Sequence, residues 1–344
     1  MPRGERKPAG TLASEDGLPT SDVSSLTDSF LREVAAIPEP LAEEPNASRS
    51  LREGDLLSDR FIIERLAGRG GMGIIYRALD QQTGERLAIK VLARREGNAD
   101  RFSREAHLLA ELADPAVVRY VSHGQTPLGE PFLAMEWLDG EDLANRLVRG
   151  PLSVTESVTV ARRVARGLAI AHTRGIVHRD VKPSNVFLVD GDPSRAKLLD
   201  FGIARLHRHG LSSSVRALTR TGAVVGSVGY MAPEQAMADP SIDARADVFG
   251  LGCLLFECLT GQPAFYAEHL LSKILFKAPP RASDLQPRVP AQLDDLVART
   301  LSKDRSGRPA DGAAMLRELN ALDAPPADAS PSGSVPPNAA GDLT

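Results

Sequence analysis

An amide and a carboxylate, Asn185 and Asp200, offer the kind of hard oxygen ligands that Mg²⁺ takes in proteins. Phosphoryl transfer needs such ligands, because metal ions bridge the phosphate oxygens during the reaction. These residue types would fit a metal site of that kind, but the types alone do not assign Asn185 and Asp200 to one.

A glycine cluster lies upstream, in Gly68-Arg69-Gly70-Gly71-Met72-Gly73. Glycines at its first, third and sixth positions permit a tight turn that brings backbone N–H groups close to phosphate oxygens. The residues that follow, 74–78, are strand-like, whereas a dinucleotide-binding fingerprint expects a helix there. Taken alone, the glycines fit a merely flexible loop as well as a phosphate-binding loop.

Lys90 ends the apolar run Leu87-Ala88-Ile89, in the strand expected after the glycine cluster. A lysine on this strand can reach the α- and β-phosphates of a nucleotide, and it then needs a carboxylate to hold it. Glu105, in the helical segment 101–112, is the candidate carboxylate. The alternatives, for each residue taken singly, are a surface lysine and a solvated helix-face glutamate.

Three further motifs follow in order: His178-Arg179-Asp180, Asp200-Phe201-Gly202 and Ala232-Pro233-Glu234. With the glycine cluster, Lys90 and Glu105, they resemble the protein kinases over roughly residues 61–322. The sequence Gly-Tyr-Met-Ala-Pro-Glu-Gln is most similar to the corresponding motif of bacterial serine/threonine kinases of the Hanks (eukaryotic-like) type. The resemblance implies an α+β fold with two lobes: a small antiparallel β-sheet N-lobe with one main helix, and a larger, mostly helical C-lobe.

The same resemblance implies transfer of the γ-phosphate of ATP to serine and threonine hydroxyls of proteins, with Mg²⁺ held by Asn185 and Asp200. Asp180 is the expected acceptor of the hydroxyl proton, Lys182 is expected near the transferring phosphate, and Lys90 is the expected phosphate-binding lysine. Lys182, shortly after Asp180, is the feature that resembles serine/threonine rather than tyrosine kinases.

Residues 132–138 resemble the strand and hinge that bind adenine. Met135 is then the gatekeeper, and the Glu136 C=O and the Leu138 N–H would bond the base. The nucleotide-binding residues implied by the resemblance are Gly68, Gly70, Gly71, Gly73, Ile75, Ala88, Lys90, Glu105, Met135, Glu136, Leu138 and Phe187.

The segment between Phe201 and Pro233 contains several arginines and hydroxyls but no Asp or Glu. A phosphate there would add negative charge that can pair with arginine, and Arg179 is the usual partner in the family. We therefore expect activation by phosphorylation at Thr219 or Thr221.

Supporting roles are also implied by the resemblance. Glu234 and Arg308 would form a buried pair that braces the substrate-binding loop, and Asp247 would anchor the catalytic turn. The hydroxyl of Ser227 would contact Asp180 and Lys182.

From the residues themselves, Cys253 and Cys258 lie on different sides of one helix and are interpreted as small buried hydrophobes. His178 is interpreted as a core histidine that supports the catalytic turn, not as a base.

Hydrophobic periodicity predicts strands over 61–66, 73–78 and 86–92, and helices over 247–260, 291–301 and 312–322. Ser153 and Glu156 have the spacing of a capping box, which predicts a helix start. Composition predicts a disordered extension over residues 1–58, with a short helix over 24–37, and a disordered Pro/Ala-rich tail over 324–344. The kinase domain is expected between them, with an N-lobe over 59–137 and a C-lobe over 138–323.

The 344 residues are 42% hydrophobic and 25% charged, which is ample for a sizeable core. The formal net charge of -4 offers no basic excess for nucleic acid, and no apolar run approaches a membrane span. Two cysteines fit a reducing cytoplasm. We expect a cytoplasmic signalling protein with protein substrates, no nucleic acid partner and no membrane span; the family resemblance also allows a homodimer through the N-lobe.

Two other classes of function remain as alternatives. One is an ATP-binding scaffold that resembles a pseudokinase and recruits partners through its tails; the intact Lys90, Asp180, Asn185 and Asp200 argue against it. The other is a small-molecule phosphotransferase of the same fold, which generally lacks an Ala-Pro-Glu segment. A turnover assay separates the scaffold from a protein kinase, whereas a small-molecule phosphotransferase predicts no peptide phosphorylation and no use for Thr219 or Thr221.

Overall fold

The computed structural model of the chain describes residues 51–70, 73–92, 99–201, 226–266 and 269–322, and leaves out the side chains at 70, 99–101, 104, 105, 107, 226 and 227. The extension over 1–50 with its expected helix, the tail over 324–344, Gly71, Thr219 and Thr221 lie outside the described residues. The expectations for these parts of the chain remain predictions.

Six antiparallel strands form the sheet of the smaller lobe: β1 (Leu56–Leu57), β2 (Phe61–Gly70), β3 (Gly73–Asp80), β4 (Arg86–Leu92), β5 (Tyr120–Gln125) and β6 (Pro131–Glu136). Their order is β1-β2-β3-β4-β6-β5. The three predicted strands are confirmed. β2 runs further than predicted because its pairing with β3 continues to Gly70 and Gly73, and β3 runs on to Asp80, which pairs with Phe61. β1 pairs with β2 through Leu57, so strand pairing begins upstream of the expected domain start at residue 59.

One face of this sheet carries the apolar core of the smaller lobe. Leu87 and Ile89 of β4 are fully buried, and Phe61 meets Phe132 edge to face with ring centroids 6.2 Å apart. Helix α1 (Ala99–Ala110) covers the sheet through Phe102, which packs in a cluster with residues of β4 and β6. The predicted helix near 101–112 is therefore confirmed, and it is the main helix of this lobe.

The larger lobe is mostly helical: α2 (Leu143–Leu147), α3 (Val154–His172), α4 (Pro233–Ala236), α5 (Arg245–Thr260), α6 (Leu270–Phe276), α7 (Ala282–Leu285), α8 (Ala291–Thr300) and α9 (Gly312–Ala321). It also holds a small antiparallel sheet of β7 (Gly140–Asp142), β8 (Val186–Val189) and β9 (Ala196–Leu198). The predicted division into a small β-sheet lobe and a larger helical lobe is confirmed.

Helix α3 begins where the capping box predicts. Ser153 Oγ accepts the Glu156 N–H at 3.2 Å, and the Glu156 carboxylate accepts the Ser153 N–H at 2.9 Å. The two hydrogen bonds provide acceptors for backbone N–H groups that have no partner within the first turn of the helix.

Helix α5 forms the centre of the larger lobe, and its residues from Ala246 to Phe256 are all buried. Cys253 and Cys258 are fully buried, and burial raises the pKa of both thiols. The interpretation of these cysteines as small core residues is confirmed. Within the described residues, no helix is both long enough and apolar enough to cross a membrane.

Candidate active site

The turn before β8 gathers three predicted catalytic and metal-binding residues around one carboxylate. Lys182 Nζ lies 3.1 Å from Asp180 Oδ2, and Asn185 Nδ2 lies 3.1 Å from the same oxygen. Asn185 Nδ2 also donates to the main-chain oxygen of Asp180 at 2.8 Å. All three residues are buried, so the Asp180 carboxylate is held in one orientation by charge and by hydrogen bonds.

Lys90 and Asp200 meet across the two lobes. Lys90 Nζ lies 2.6 Å from Asp200 Oδ2. Among the described side chains, Asp200 is the carboxylate within ion-pair distance of Lys90; the side chain of Glu105, the expected partner, lies outside the described residues. The contact brings the lysine of β4 to the second residue beyond the end of β9, and the motifs did not predict it.

The donor set fits a Mg²⁺ ion. Asn185 uses its amide nitrogen on Asp180, which leaves its carbonyl oxygen as an acceptor, and no described donor bonds to that oxygen. Asp200 contributes a carboxylate that is 27% exposed, and no described residue bonds its Oδ1 atom. A carbonyl and a carboxylate oxygen that are open to the site are the ligand types that Mg²⁺ prefers.

Asp247, at the first turn of α5, holds the backbone of the catalytic turn. Its two carboxylate oxygens accept the N–H groups of His178 and Arg179, each at 2.7 Å. Arg179 has a φ of 63°, in the left-handed region that residues other than glycine rarely adopt, so the turn depends on such restraints. The contact expected for Asp247 is present.

His178 is fully buried and packs against Phe201, with ring centroids 4.7 Å apart. Its Nδ1 atom accepts the Asp180 N–H at 3.2 Å, and its Nε2–H is then assigned as the donor to the Leu199 carbonyl at 2.7 Å. Both ring nitrogens are thus used by the backbone. This geometry matches a core histidine that supports the turn.

His172, at the end of α3, was not singled out by the sequence. Its Nδ1 atom accepts the Gly312 N–H at 3.0 Å, and its Nε2 atom lies 2.9 Å from Asp247 Oδ2. Because Nδ1 is an acceptor, Nε2 is the nitrogen that donates to Asp247. The residue links α9, α3 and α5 directly beneath the catalytic turn.

The expected adenine site lies where β6 leads out of the sheet. Met135 pairs with Ala88 of β4, and Ile75 of β3 pairs with Lys90. The Leu138 N–H has no hydrogen-bond partner among the described residues, whereas the Glu136 N–H donates to the Arg119 carbonyl at 2.9 Å. Phe187 lies in β8 of the other lobe and is partly exposed.

The side chain of Glu136 fixes this hinge to both lobes. Its Oε1 atom accepts the Arg119 N–H at 2.7 Å and lies 2.5 Å from Lys197 Nζ of β9. The next residue, Trp137, lies under Arg65 and Arg77 of the larger sheet, with guanidinium carbons 5.4 and 5.8 Å from the indole centroid. The sequence predicts the hinge but not these side-chain contacts.

Glycines of the cluster lie at the end of the β2–β3 hairpin, where Gly68 pairs with Ile75 and Gly70 with Gly73. Gly73 has a φ of 146°, and a Cβ atom there would lie 2.1 Å from the Val91 carbonyl oxygen. At Gly68 a Cβ atom would meet nothing within 4 Å. Close backbone approach therefore requires glycine at Gly73.

Glu234 and Arg308 form the buried pair that the resemblance implies. Arg308 Nη1 lies 2.7 Å from Glu234 Oε1, and Nη2 lies 3.1 Å from Oε2. Arg308 also donates to the carbonyls of Ser302, Arg245 and Lys303. The pair is fully hydrogen-bonded and fixes the start of α4.

The hydroxyl of Ser227 lies outside the described side chains, so its contact with Asp180 and Lys182 stays a prediction.

Tyr230, just before the Ala-Pro-Glu segment, donates its hydroxyl to Glu257 Oε2 of α5 at 2.5 Å. Burial raises the pKa of both the Glu257 carboxyl and the Tyr230 phenol. The motifs did not predict this contact; the available signal was Glu257, the only charged residue beyond the first turn of an otherwise apolar helix.

Comparison with known proteins agrees with this geometry. The protein kinase domain family matches residues 61–319 of the chain. Over 284 residues, the chain is 37% identical to the serine/threonine-protein kinase PknL of Mycobacterium bovis, covering 80% of this chain and 68% of PknL. Over 253 residues, it is 38% identical to the serine/threonine-protein kinase PknD of Mycobacterium tuberculosis, covering 71% of this chain and 37% of PknD.

Among solved structures, a crystal structure of Rad53 residues 1–466 in complex with AMP-PNP is similar in fold, with a TM-score of 0.61 and 24% sequence identity. The likeness covers 75% of this chain and 64% of the Rad53 chain. The expected bilobal protein kinase fold and the resemblance to bacterial serine/threonine kinases of the Hanks type are both confirmed. The chain belongs to the protein kinase family.

Proposed function

We propose that this protein kinase transfers the γ-phosphate of ATP to serine and threonine hydroxyls of proteins. The observation that carries the proposal is the convergence of Lys182 and Asn185 on the Asp180 carboxylate, with the Lys90–Asp200 pair completing the set. The names of PknL and PknD support the serine/threonine class.

In this proposal Asp180 accepts the proton of the attacking hydroxyl, because its carboxylate is held in one orientation beside the turn. Lys182 offsets negative charge on the transferring group, and Lys90 binds the nucleotide phosphates. When bound, Mg²⁺ supplies further charge neutralisation, and Asn185 and Asp200 would hold it. The Glu136 C=O and the Leu138 N–H would bond adenine.

We also propose activation by phosphorylation of Thr219 or Thr221, with the phosphate paired to Arg179. Arg179 lies in the catalytic turn, so a phosphate there acts on the backbone that carries Asp180. The double variant Thr219→Ala/Thr221→Ala should lose most of the activity of the phosphorylated protein. Full activity in this variant, or in protein whose two threonines are unmodified by mass spectrometry, would contradict the mechanism.

The remaining proposals concern the setting of the reaction. Protein substrates, a role in signal transduction and a cytoplasmic location follow from the family resemblance and from two cysteines that are both free and buried thiols. A homodimer through the smaller lobe is proposed on the resemblance to the family.

The test is incubation of the purified chain with Mg²⁺ and labelled ATP, followed by phosphosite mapping by mass spectrometry. Asp180→Asn removes the proton acceptor with little change of shape, and Asp295→Asn, on the exposed face of α8, makes the same change of charge away from the site. We expect label on serine or threonine in the unaltered and Asp295→Asn proteins and at least about 100-fold less in Asp180→Asn.

Other outcomes would contradict the proposal. ATP binding without transfer to the chain or to added proteins would favour the scaffold. Transfer only to small molecules would favour a small-molecule phosphotransferase.

A further inference from the structure

Arg179 links the buried His178 to the catalytic Asp180 and has a left-handed φ of 63°. An arginine leaves this conformation readily unless both of its peptide groups are held. On the N-terminal side, the Arg179 N–H donates to Asp247 Oδ1 at 2.7 Å. On the C-terminal side, the Asp180 N–H donates to His178 Nδ1 at 3.2 Å, and the carbonyl oxygen of the same peptide group needs a restraint of its own.

Gln235 supplies that restraint. Its Nε2 atom donates to the Arg179 main-chain carbonyl oxygen at 3.0 Å. This carbonyl belongs to the peptide group that joins Arg179 to Asp180. A side chain from α4 therefore bonds the peptide group adjacent to the catalytic carboxylate.

The orientation of the Gln235 amide follows from its second bond. Gln235 Oε1 accepts the Ala232 N–H at 3.0 Å, as a capping residue does at the start of a helix. With the oxygen engaged there, the amide nitrogen is the end that faces Arg179. A glutamate would cap α4 equally well, but it would present an oxygen, not a donor, to the Arg179 carbonyl.

The chain segment that carries Gln235 is held in a fixed position. Glu234, the residue before Gln235, forms the buried ion pair with Arg308, and Arg308 also bonds three main-chain carbonyls. Gln235 is thus attached to a fixed segment, and its bond to Arg179 couples that segment to the catalytic turn.

We infer that Gln235 is a positioning residue that holds the Arg179–Asp180 peptide group in the conformation required for phosphoryl transfer, and does so through the Ala-Pro-Glu segment. The inference rests on the proposed kinase function. It adds to that function a physical link by which disorder in the substrate-binding segment would remove one restraint on the peptide group next to the catalytic carboxylate.

The test compares Gln235→Glu with Gln292→Glu, which makes the same change at an exposed position of α8. Gln235→Glu keeps the cap on Ala232 and loses the donor to Arg179. We expect its kcat to fall about tenfold or more, with the KM for ATP within about twofold of the unaltered protein. Hydrogen exchange of the Arg179 and Asp180 amides should be faster in this variant, and Gln292→Glu should match the unaltered protein in both readouts.

An unchanged kcat or unchanged exchange at Arg179 and Asp180 would overturn the inference. If the unaltered protein shows no phosphoryl transfer, the proposed function fails, and the exchange measurement, which needs no turnover, decides the role of Gln235 by itself. If Gln235→Glu does not fold, Gln235→Ala is measured in its place, with the same expected and contrary outcomes.

Discussion

Lys90 and Asp200 form an ion pair at 2.6 Å whose two members differ in burial: the Lys90 side chain is 8% exposed and that of Asp200 is 27% exposed. A charge left without its partner costs more where water cannot reach it. The pair should therefore respond asymmetrically when one partner is removed. Its carboxylate is also the proposed metal ligand, so the same contact bears on stability and on catalysis.

Asp200→Asn should destabilise the nucleotide-free protein by about 1–3 kcal/mol, because it removes the charge that pairs with the buried Lys90 ammonium among the described residues. Asparagine tolerates the left-handed φ of 52° at this position, so the change affects mainly charge. Lys90→Met leaves the more exposed Asp200 unpaired and should cost less than about 1 kcal/mol. Urea unfolding without nucleotide measures the free energy of unfolding of both variants. Equal losses of stability in the two variants would contradict the expected difference between the partners of the ion pair.

Gly73→Ala should destabilise the smaller lobe by about 2–4 kcal/mol and weaken ATP binding, because a Cβ atom would lie 2.1 Å from the Val91 carbonyl oxygen. Gly68→Ala is the matched control, and it should stay within about 1 kcal/mol of the unaltered protein. Trp137 is the only tryptophan and lies at the hinge, so its fluorescence reports ATP binding in both variants. Equal effects of the two substitutions would show that close packing at Gly73 is unimportant.

Asp80 should stabilise the smaller lobe at neutral pH and lose its contribution in acid. Hydrogen bonds from Arg60, at 2.7 and 2.9 Å, are the main cause that lowers the pKa of the Asp80 carboxyl from 3.8 to about 2. The contribution is complete above about pH 4 and is lost as the pH falls from about 4 to about 2, because the unfolded chain binds the proton first.

Asp80→Asn should therefore cost about 1.5–3 kcal/mol at pH 7 and remove this acid-dependent step. The control is Glu53→Gln, at an exposed position of the same lobe, which should retain the step. Thermal unfolding from pH 2 to 7 measures the difference. An identical pH profile for the unaltered and Asp80→Asn proteins would rule out the assignment to Asp80.

Lys303 should oppose folding at neutral pH. Its ammonium nitrogen is buried without a hydrogen-bond partner among the described residues, and it lies 4.0 Å from the Phe265 ring centroid. Burial lowers the pKa of this lysine from 10.5 to about 8. Between about pH 8 and 10.5 the unfolded chain binds more protons than the folded chain, so the contribution of Lys303 to stability rises with pH.

Lys303→Met should raise the Tm at pH 7 by a few degrees and remove the rise in stability that Lys303 causes above about pH 8. Lys277→Met, at an exposed position, is the control and should leave the profile unchanged. A lower Tm for Lys303→Met at pH 7 would mean that the contact with Phe265 outweighs the cost of burying the charge.

Local features of the sequence were sufficient for much of the fold. The strand over Arg86–Leu92 and the capping box at Ser153 depend on side-chain patterns within a few residues, and both are present as predicted. The burial of α5 on all sides follows from its nearly continuous apolar composition. Its start at Arg245, slightly before the predicted residue 247, reflects the first turn of a helix, where periodicity carries little information.

The order of the motifs and the residue types available for chemistry could be read from the chain alone, and their resemblance to the protein kinases indicated the family. Which atoms meet depended on the fold: Lys90 with Asp200, Gln235 with the Arg179 carbonyl, and His172 with Asp247. The partners in each case lie far apart along the chain and on different elements. Such a contact depends on the path of the whole chain, and neither helical nor strand periodicity contains that information.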